Sequence, residues 1–364
     1  MNTAAEGLLV GVVSSAGRVE ARLVERTPFG RLRGSRRRLV EDVMSPSGFR
    51  PASVQRQLAR SALLPGEDQA GESWIQSVAS AVEQLLFGLR APGVRVGVAL
   101  DAWLDARGQE VLAARGGPRT QGWPDRLTNT LRARGVPLVE PIRSVASIAV
   151  AAALGEVWSP LGGMAGGVGG LVTCWDEEVS WAELADGQVV REGRELPGGP
   201  LDRGEAALRD HWRAAGHPRS GLGKALKQGG GFAQPWLVAA AHDLGRASGR
   251  RLLERLHRAT GQPPGGSVPL GSDGLVITGS MSPCLGAAAI AGSLDEGLAL
   301  RLSEREDASM GAGWIEREGE RLVPCRGLVR LGQGAQGLLV GAAAASLQGR
   351  LPVDAKHRDG GGWT

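Results

Sequence analysis

Val94-Arg95-Val96-Gly97-Val98-Ala99-Leu100 is the stretch on which the fold is read. Its apolar residues alternate over a strand's length, which predicts a buried β-strand. A turn, Asp101-Ala102-Trp103-Leu104-Asp105, follows it. Gly122-Trp123-Pro124 then opens a helix expected over residues 125–134. A second apolar run, Val136-Pro137-Leu138-Val139, reads as another strand. It leads through Glu140-Pro141-Ile142-Arg143-Ser144-Val145-Ala146 into an Ala-rich helix expected over residues 147–158. Upstream, residues 73–89 form an amphipathic helix, with Trp74, Val78, Val82, Leu85, Leu86 and Leu89 on one face. A helix between strands gives a β-α-β connection. The chain opens with two strands, at residues 8–13 and 18–24, around the turn Ser14-Ser15-Ala16-Gly17.

Beyond residue 158, a glycine run from Gly162 to Gly170 precedes a strand expected over residues 171–175. Amphipathic helices are expected at 206–215 and 234–260, the latter with Leu237, Ala241, Leu244, Leu252, Leu253 and Leu256 as core residues. Residues 275–280 read as a buried strand ending in a tight turn, and 283–300 as partly helical. Residues 350–364 are expected to be a disordered tail.

The 364 residues suffice for two cores, and the 42% hydrophobic content with 22% charged residues marks a globular chain. A net charge of +4 is too small to point to nucleic acid. Five arginines between Arg31 and Arg38 have no interleaved aromatics and read as a solvated loop or edge strand. With 57 glycines, three lysines and no tyrosine, the composition reads as GC-rich codon usage in a bacterium. Cys174, Cys284 and Cys325 have neither a disulfide framework's even number nor zinc-ligand spacing, so no zinc is expected. His211 and His217 have no further ligand at metal spacing and read as surface or packing residues. Ser220-Gly221-Leu222-Gly223-Lys224 is no P-loop, because Pro218 and Ala225 stand where Gly and Ser or Thr are needed. The N-terminus has no basic n-region and no stretch has membrane-spanning length; we expect a cytoplasmic protein with no membrane partner.

The order of elements around 94–158 resembles the ROK family of sugar kinases and transcriptional repressors. Members show G-[IV]-x-x-P-G-x-V-D, then N-x-x-x-W, then E-N-D-A-N-A-A-A at a helix start. The resemblance implies a duplicated, two-lobed α/β fold of the actin-like ATPase (ribonuclease H-like) kind, with a central cleft near 139–145. It implies lobes at 1–138 and 139–349. A repressor of the family carries a helix-turn-helix before its first strand; with seven residues there, a repressor of that type is not expected.

The family's chemistry is largely missing. The family's first hairpin turn carries D-x-G-G-T, whose acid helps hold Mg²⁺; Val13 stands at the acid and Gly17 near the turn's end. The glycine run resembles the second phosphate loop, G-T-G-I-G-G-G, which would make Gly166, Gly167, Gly169 and Gly170 nucleotide contacts. A second alignment stays open, because Asp186-Gly187-Gln188-Val189-Val190-Arg191-Glu192-Gly193 resembles the D-G-x-L-x-x-G hairpin that directly follows that loop. Gly279 and Ser280 stand at the end of the adenosine strand, where the family has G-G. The closing G-A-A helix is either 308–314 or 337–344, with the second favoured. The family's E-x-G-H and C-x-C-G-x-x-G-C zinc site have no counterpart.

A sugar kinase needs a base for the attacking hydroxyl, which the family supplies as the Asp of E-N-D. Counting from Glu140, that triplet falls on Pro141, Ile142 and Arg143, and a guanidinium cannot be a base. Asp101 and Asp105 are the displaced-base candidates if the chain is a kinase. Arg143, Asp105 and Trp123 are the candidate ligand-binding residues. Arg143 either pairs with Asp101 or Asp105, or binds an anionic ligand. The leading expectation is a non-catalytic ligand-binding or regulatory protein with a degenerate site. A divergent carbohydrate kinase using ATP and Mg²⁺ is the alternative, and an assembly protein that dimerises or takes a protein partner through this fold is a third. The ligand expected is a sugar or a small anion.

Overall fold

The computed structural model describes residues 7–15, 18–42, 67–104, 108, 111–114, 122–162, 170–175, 179–185, 187–194, 213–216, 235–260, 275–279, 288–303, 315–319, 321–324 and 329–347. The expected tail at 350–364, and nearly all of the helix at 206–215, lie outside them. The chain forms two compact units. One comprises Met1–Ala165 with Gln336–Thr364, the other Gly166–Ala335.

The first unit contains β1 (Leu8–Ser15), β2 (Arg18–Arg26), β3 (Leu32–Asp42), α1 (Glu67–Leu86), β4 (Val94–Leu100), a small hairpin of β5 (Ala102–Leu104) and β6 (Val111–Ala114), α2 (Trp123–Ala133), β7 (Ala146–Ser147) and α3 (Ile148–Trp158). Its sheet has the order β3-β2-β1-β4-β7. The strands β1, β4 and β7 are parallel, and β2 and β3 are antiparallel. One face packs on α1 and α2 through Val10, Val12, Val96, Val98, Ile75, Val78, Val82 and Leu131, all buried.

The second unit contains β8 (Gly170–Trp175), β9 (Val179–Ala185), β10 (Gln188–Arg194), α4 (Pro235–Thr260), β11 (Leu275–Gly279), α5 (Ala288–Ser303), a hairpin of β12 (Ile315–Glu318) and β13 (Arg321–Pro324), and β14 (Val329–Leu331); α6 (Ala335–Leu347) follows. Its sheet order, β10-β9-β8-β11-β14, repeats that of the first, with β8, β11 and β14 parallel and β9 and β10 antiparallel. The expected α/β architecture of two mixed five-stranded sheets is therefore present as an internal duplication.

Three local expectations change. The helix α1 starts earlier than the apolar periodicity suggested and stops at Leu86, so Leu89 lies beyond it and is exposed. The run 136–139 makes only a bridge, Val94 to Leu138, because Pro137 has no N–H to extend a ladder. The first unit does not end at 138: β7 pairs with Ala99 and Leu100 and keeps α3 with it.

The helices α3 and α6 are small-residue-rich and buried on all sides, from Ile148 to Val157 and from Gly337 to Ala344. Glycines let them approach at backbone contact. A Cβ on Gly11 or Gly97 would overlap the Leu339 or Ala342 carbonyl of α6, and one on Gly341 the Ala151 carbonyl of α3. Thus α6, the last of the described helices, covers the other face of the first sheet.

The arginine-rich segment is mostly β3, an edge strand as expected. Arg38 pairs with Glu20 at 2.6 Å, Arg33 with Glu25 at 3.5 Å, and Arg31 and Arg37 donate to the Val157 and Phe87 carbonyls. Charge and a register shift opposite Arg22 and Val24 break the edge as a template for further strands.

Candidate functional site

Two places in the first unit collect the residues singled out in the sequence. The first is the C-terminal edge of its sheet. There Ser14, Leu100 and Ser147 form one row across β1, β4 and β7. The Ser14 hydroxyl is buried and has no hydrogen-bond partner. Asp101 follows β4 directly, half-buried, its backbone N–H donating to the Ser14 carbonyl at 2.9 Å. The helix α3 begins at the end of the same row. Ser147 is its N-cap and accepts from the Val150 N–H at 3.2 Å. The start of the helix therefore reads Ala146-Ser147-Ile148-Ala149, with no acidic residue in the first turn.

This corrects the count from Glu140. Arg143 is not at the helix start; it lies upstream in the segment leading to β7, and its side chain is exposed. It lines the second place, a cavity of about 100 Å³ between Arg95 and Val96 of β4, the segment Glu140-Pro141-Ile142-Arg143-Ser144, and Ala345 and Ser346 of α6. Arg95 pairs with Glu140. Arg143 makes no ion pair among the described residues. Asp105, its other expected partner, lies outside them.

Trp123 is not at a surface where a ligand could stack. It is fully buried in the first unit's core with Leu127, Leu131, Ile142 and Val145, and its indole N–H is unpartnered. Neighbouring Thr128 fixes the segment that carries Arg143, its hydroxyl accepting from the Ile142 N–H at 2.9 Å. Sequence periodicity could have found this, since Trp123, Leu127 and Leu131 are spaced for one helix face.

Of the nucleotide-site candidates, Gly17, Gly166, Gly167, Gly169 and Ser280 lie outside the described residues. Gly170 starts β8, and Gly279 ends β11 with φ +103°. These strands are parallel, with Gly279 opposite Trp175, so Gly170 and Gly279 are at opposite ends of the ladder and do not converge. Gly279 does adjoin the turn before α6: the Gly332 N–H donates to the Ile277 carbonyl at 2.8 Å and the Gly334 N–H to the Thr278 hydroxyl at 3.0 Å. Residues 337–344 lie within α6, and 308–314 fall outside the described residues.

Gly187, with φ +73°, stands between β9 and β10, which pair antiparallel.

Among the described residues no helix is long and apolar enough to cross a membrane, and no group of His, Cys, Asp and Glu could hold a metal.

No family sequence model and no curated protein sequence matches the chain. Solved structures do. A ROK family protein from Streptococcus pneumoniae in complex with sucrose is similar at TM-score 0.57 and 11% identity, covering 94% of this chain and 98% of that one. A ROK family glucokinase from Streptomyces griseus in complex with glucose and AMPPNP gives 0.55 and 16%, covering 94% and 100%. A ROK family transcriptional regulator gives 0.50 and 14%, covering 93% and 78%. The chain has the fold that this sucrose-bound protein, the glucokinase and the regulator share.

Proposed function

We propose that the chain is a degenerate member of the ROK family, a sugar-kinase-fold protein that binds a sugar or sugar acid in a regulatory role and does not transfer phosphate. The observation that carries this is the start of α3. Family kinases place their base at this kind of helix start, where Ala146, Ser147 and Ile148 now stand and none can accept a proton from a sugar hydroxyl. Mg²⁺ fits the remaining residues poorly, because the Val13 side chain offers no oxygen to a metal.

One feature favours the second reading, a divergent kinase. The backbone of Asp101 is fixed at the end of the Ser14 row, so its carboxylate is a base candidate at the same sheet edge. Purified protein incubated with ATP, Mg²⁺ and a panel of hexoses, N-acetylhexosamines and hexonates tests both. The proposal expects no sugar-dependent ADP release but a saturable rise in melting temperature with one of the panel. Sugar-dependent ADP release that disappears in Asp101→Asn would establish the kinase instead.

A further inference from the structure

We propose that the cavity beside Arg143 is a separate binding site for a small monoanionic carboxylate. It arises where the chain leaves the sheet. The segment after the Val94–Leu138 bridge does not rejoin β4 until Ala146 pairs with Ala99. Val94 uses its N–H and C=O on Pro137 and Val139, at 2.8 and 3.0 Å. Backbone groups alternate along a strand, so the N–H and C=O of Val96 point to the same edge. Val96 is 5% exposed, and no hydrogen bond joins it to Glu140–Ser144 among the described residues. The Val96 amide is thus left to a group in the cavity or to water.

The side chains around that amide specify what the partner is. Arg95 and Glu140 neutralise one another. Among the described residues Arg143 has no carboxylate partner, so the lining they form carries one net positive charge and a planar fork of donors suited to a carboxylate. Ser144 also lines the wall. Ser346 spends its proton on the Ala343 carbonyl at 2.7 Å and presents only lone pairs. The last turn of α6 adds partial negative charge. That end of the cavity disfavours a dianion, so the site selects a carboxylate over phosphate. The Val96 C=O can accept from a hydroxyl beside the carboxylate, and about 100 Å³ holds a three-carbon hydroxy acid. Val96 stands five residues before Asp101, about 17 Å along the strand, so this site does not depend on the sugar-binding reading.

Glycerate is the probe, titrated into the full chain by calorimetry and thermal shift without nucleotide or sugar. Saturable binding is expected, weakened at least about tenfold by Arg143→Ala and less by Arg143→Lys. Arg143 is exposed, so the unliganded melting temperature of Arg143→Ala should match the parent. Glycerol and inorganic phosphate should produce no saturable shift. Absence of saturable glycerate binding would overturn the site. So would unchanged affinity in Arg143→Ala, or phosphate binding as well as glycerate.

Discussion

The two units share one strand order and differ in how their helices meet. In the first, α3 and α6 contact each other and the sheet through Gly155, Gly337, Gly341, Gly11 and Gly97, backbone against backbone. In the second, α4 and α5 make a reciprocal pair of such contacts, Gly245 under the Leu294 carbonyl and Gly297 under that of His242, each helix offering one glycine to the other. The first arrangement has rigid backbone on several sides of the same helix. The second has two helices that can separate slightly as a pair. The lesson is that one topology fixes where helices run but not how much slack they have.

The largest effect should come from testing that slack in the first unit. Gly97→Val would drive a side chain into the α6 backbone, and we expect a loss of about 3 kcal/mol or more, to the point of unfolding, read by urea denaturation. Gly245→Ala in the second unit should cost less, about 1–2 kcal/mol, because α5 can shift and alanine favours the helix. Equal losses would mean that the two helix pairs are equally rigid.

A finer difference lies at the helix starts. The first turn of α3 is capped from within by Ser147, whereas the turn before α6 is held by Thr278 of a neighbouring strand. Ser147→Ala and Thr278→Val should each cost about 1 kcal/mol. Only Thr278→Val should raise amide hydrogen exchange at Gly334, which separates a cap borrowed from a strand from one supplied locally.

The smallest effects are in pH. Hydrogen bonds from Gln76 and then Arg126 lower the pKa of Glu72 in the first unit, while burial raises that of Asp295 in the second. Glu72 therefore adds stability above its ordinary value of 4.5, and that contribution is lost as pH falls through its lower folded pKa. Asp295 acts oppositely. The folded state holds its proton longer, so stability drops as pH rises from 3.8 through the raised value. Asp295→Asn should then raise the melting temperature at pH 7 and do little at pH 3. Glu72→Gln should lower it slightly at pH 7 and not at pH 3, since Glu72 is well exposed.

How far the sequence led depends on what each residue type constrains. Alternation marked β1, β4 and β11, and the apolar stripe marked α1, because burial on one face leaves a periodic trace. The start of α3 is hidden in the sequence because Glu140 offers an acidic residue upstream, while its true marker is the capping residue Ser147, which any Ser in a loop resembles. Arg143 was legible as an anomaly, but the cavity it lines depends on a gap in strand pairing that no local pattern encodes.

The return of α6 to the first sheet bears on how the protein is made. Gly11 emerges from the ribosome hundreds of residues ahead of Leu339, the group that covers it. At about 5–20 residues per second, the first sheet waits many seconds with that face bare, while the second unit's strands are still being added. Nascent chains should therefore stay protease-sensitive in the N-terminal unit until α6 clears the exit tunnel, and stop codons placed just before Ala335 should leave a product whose first unit never closes.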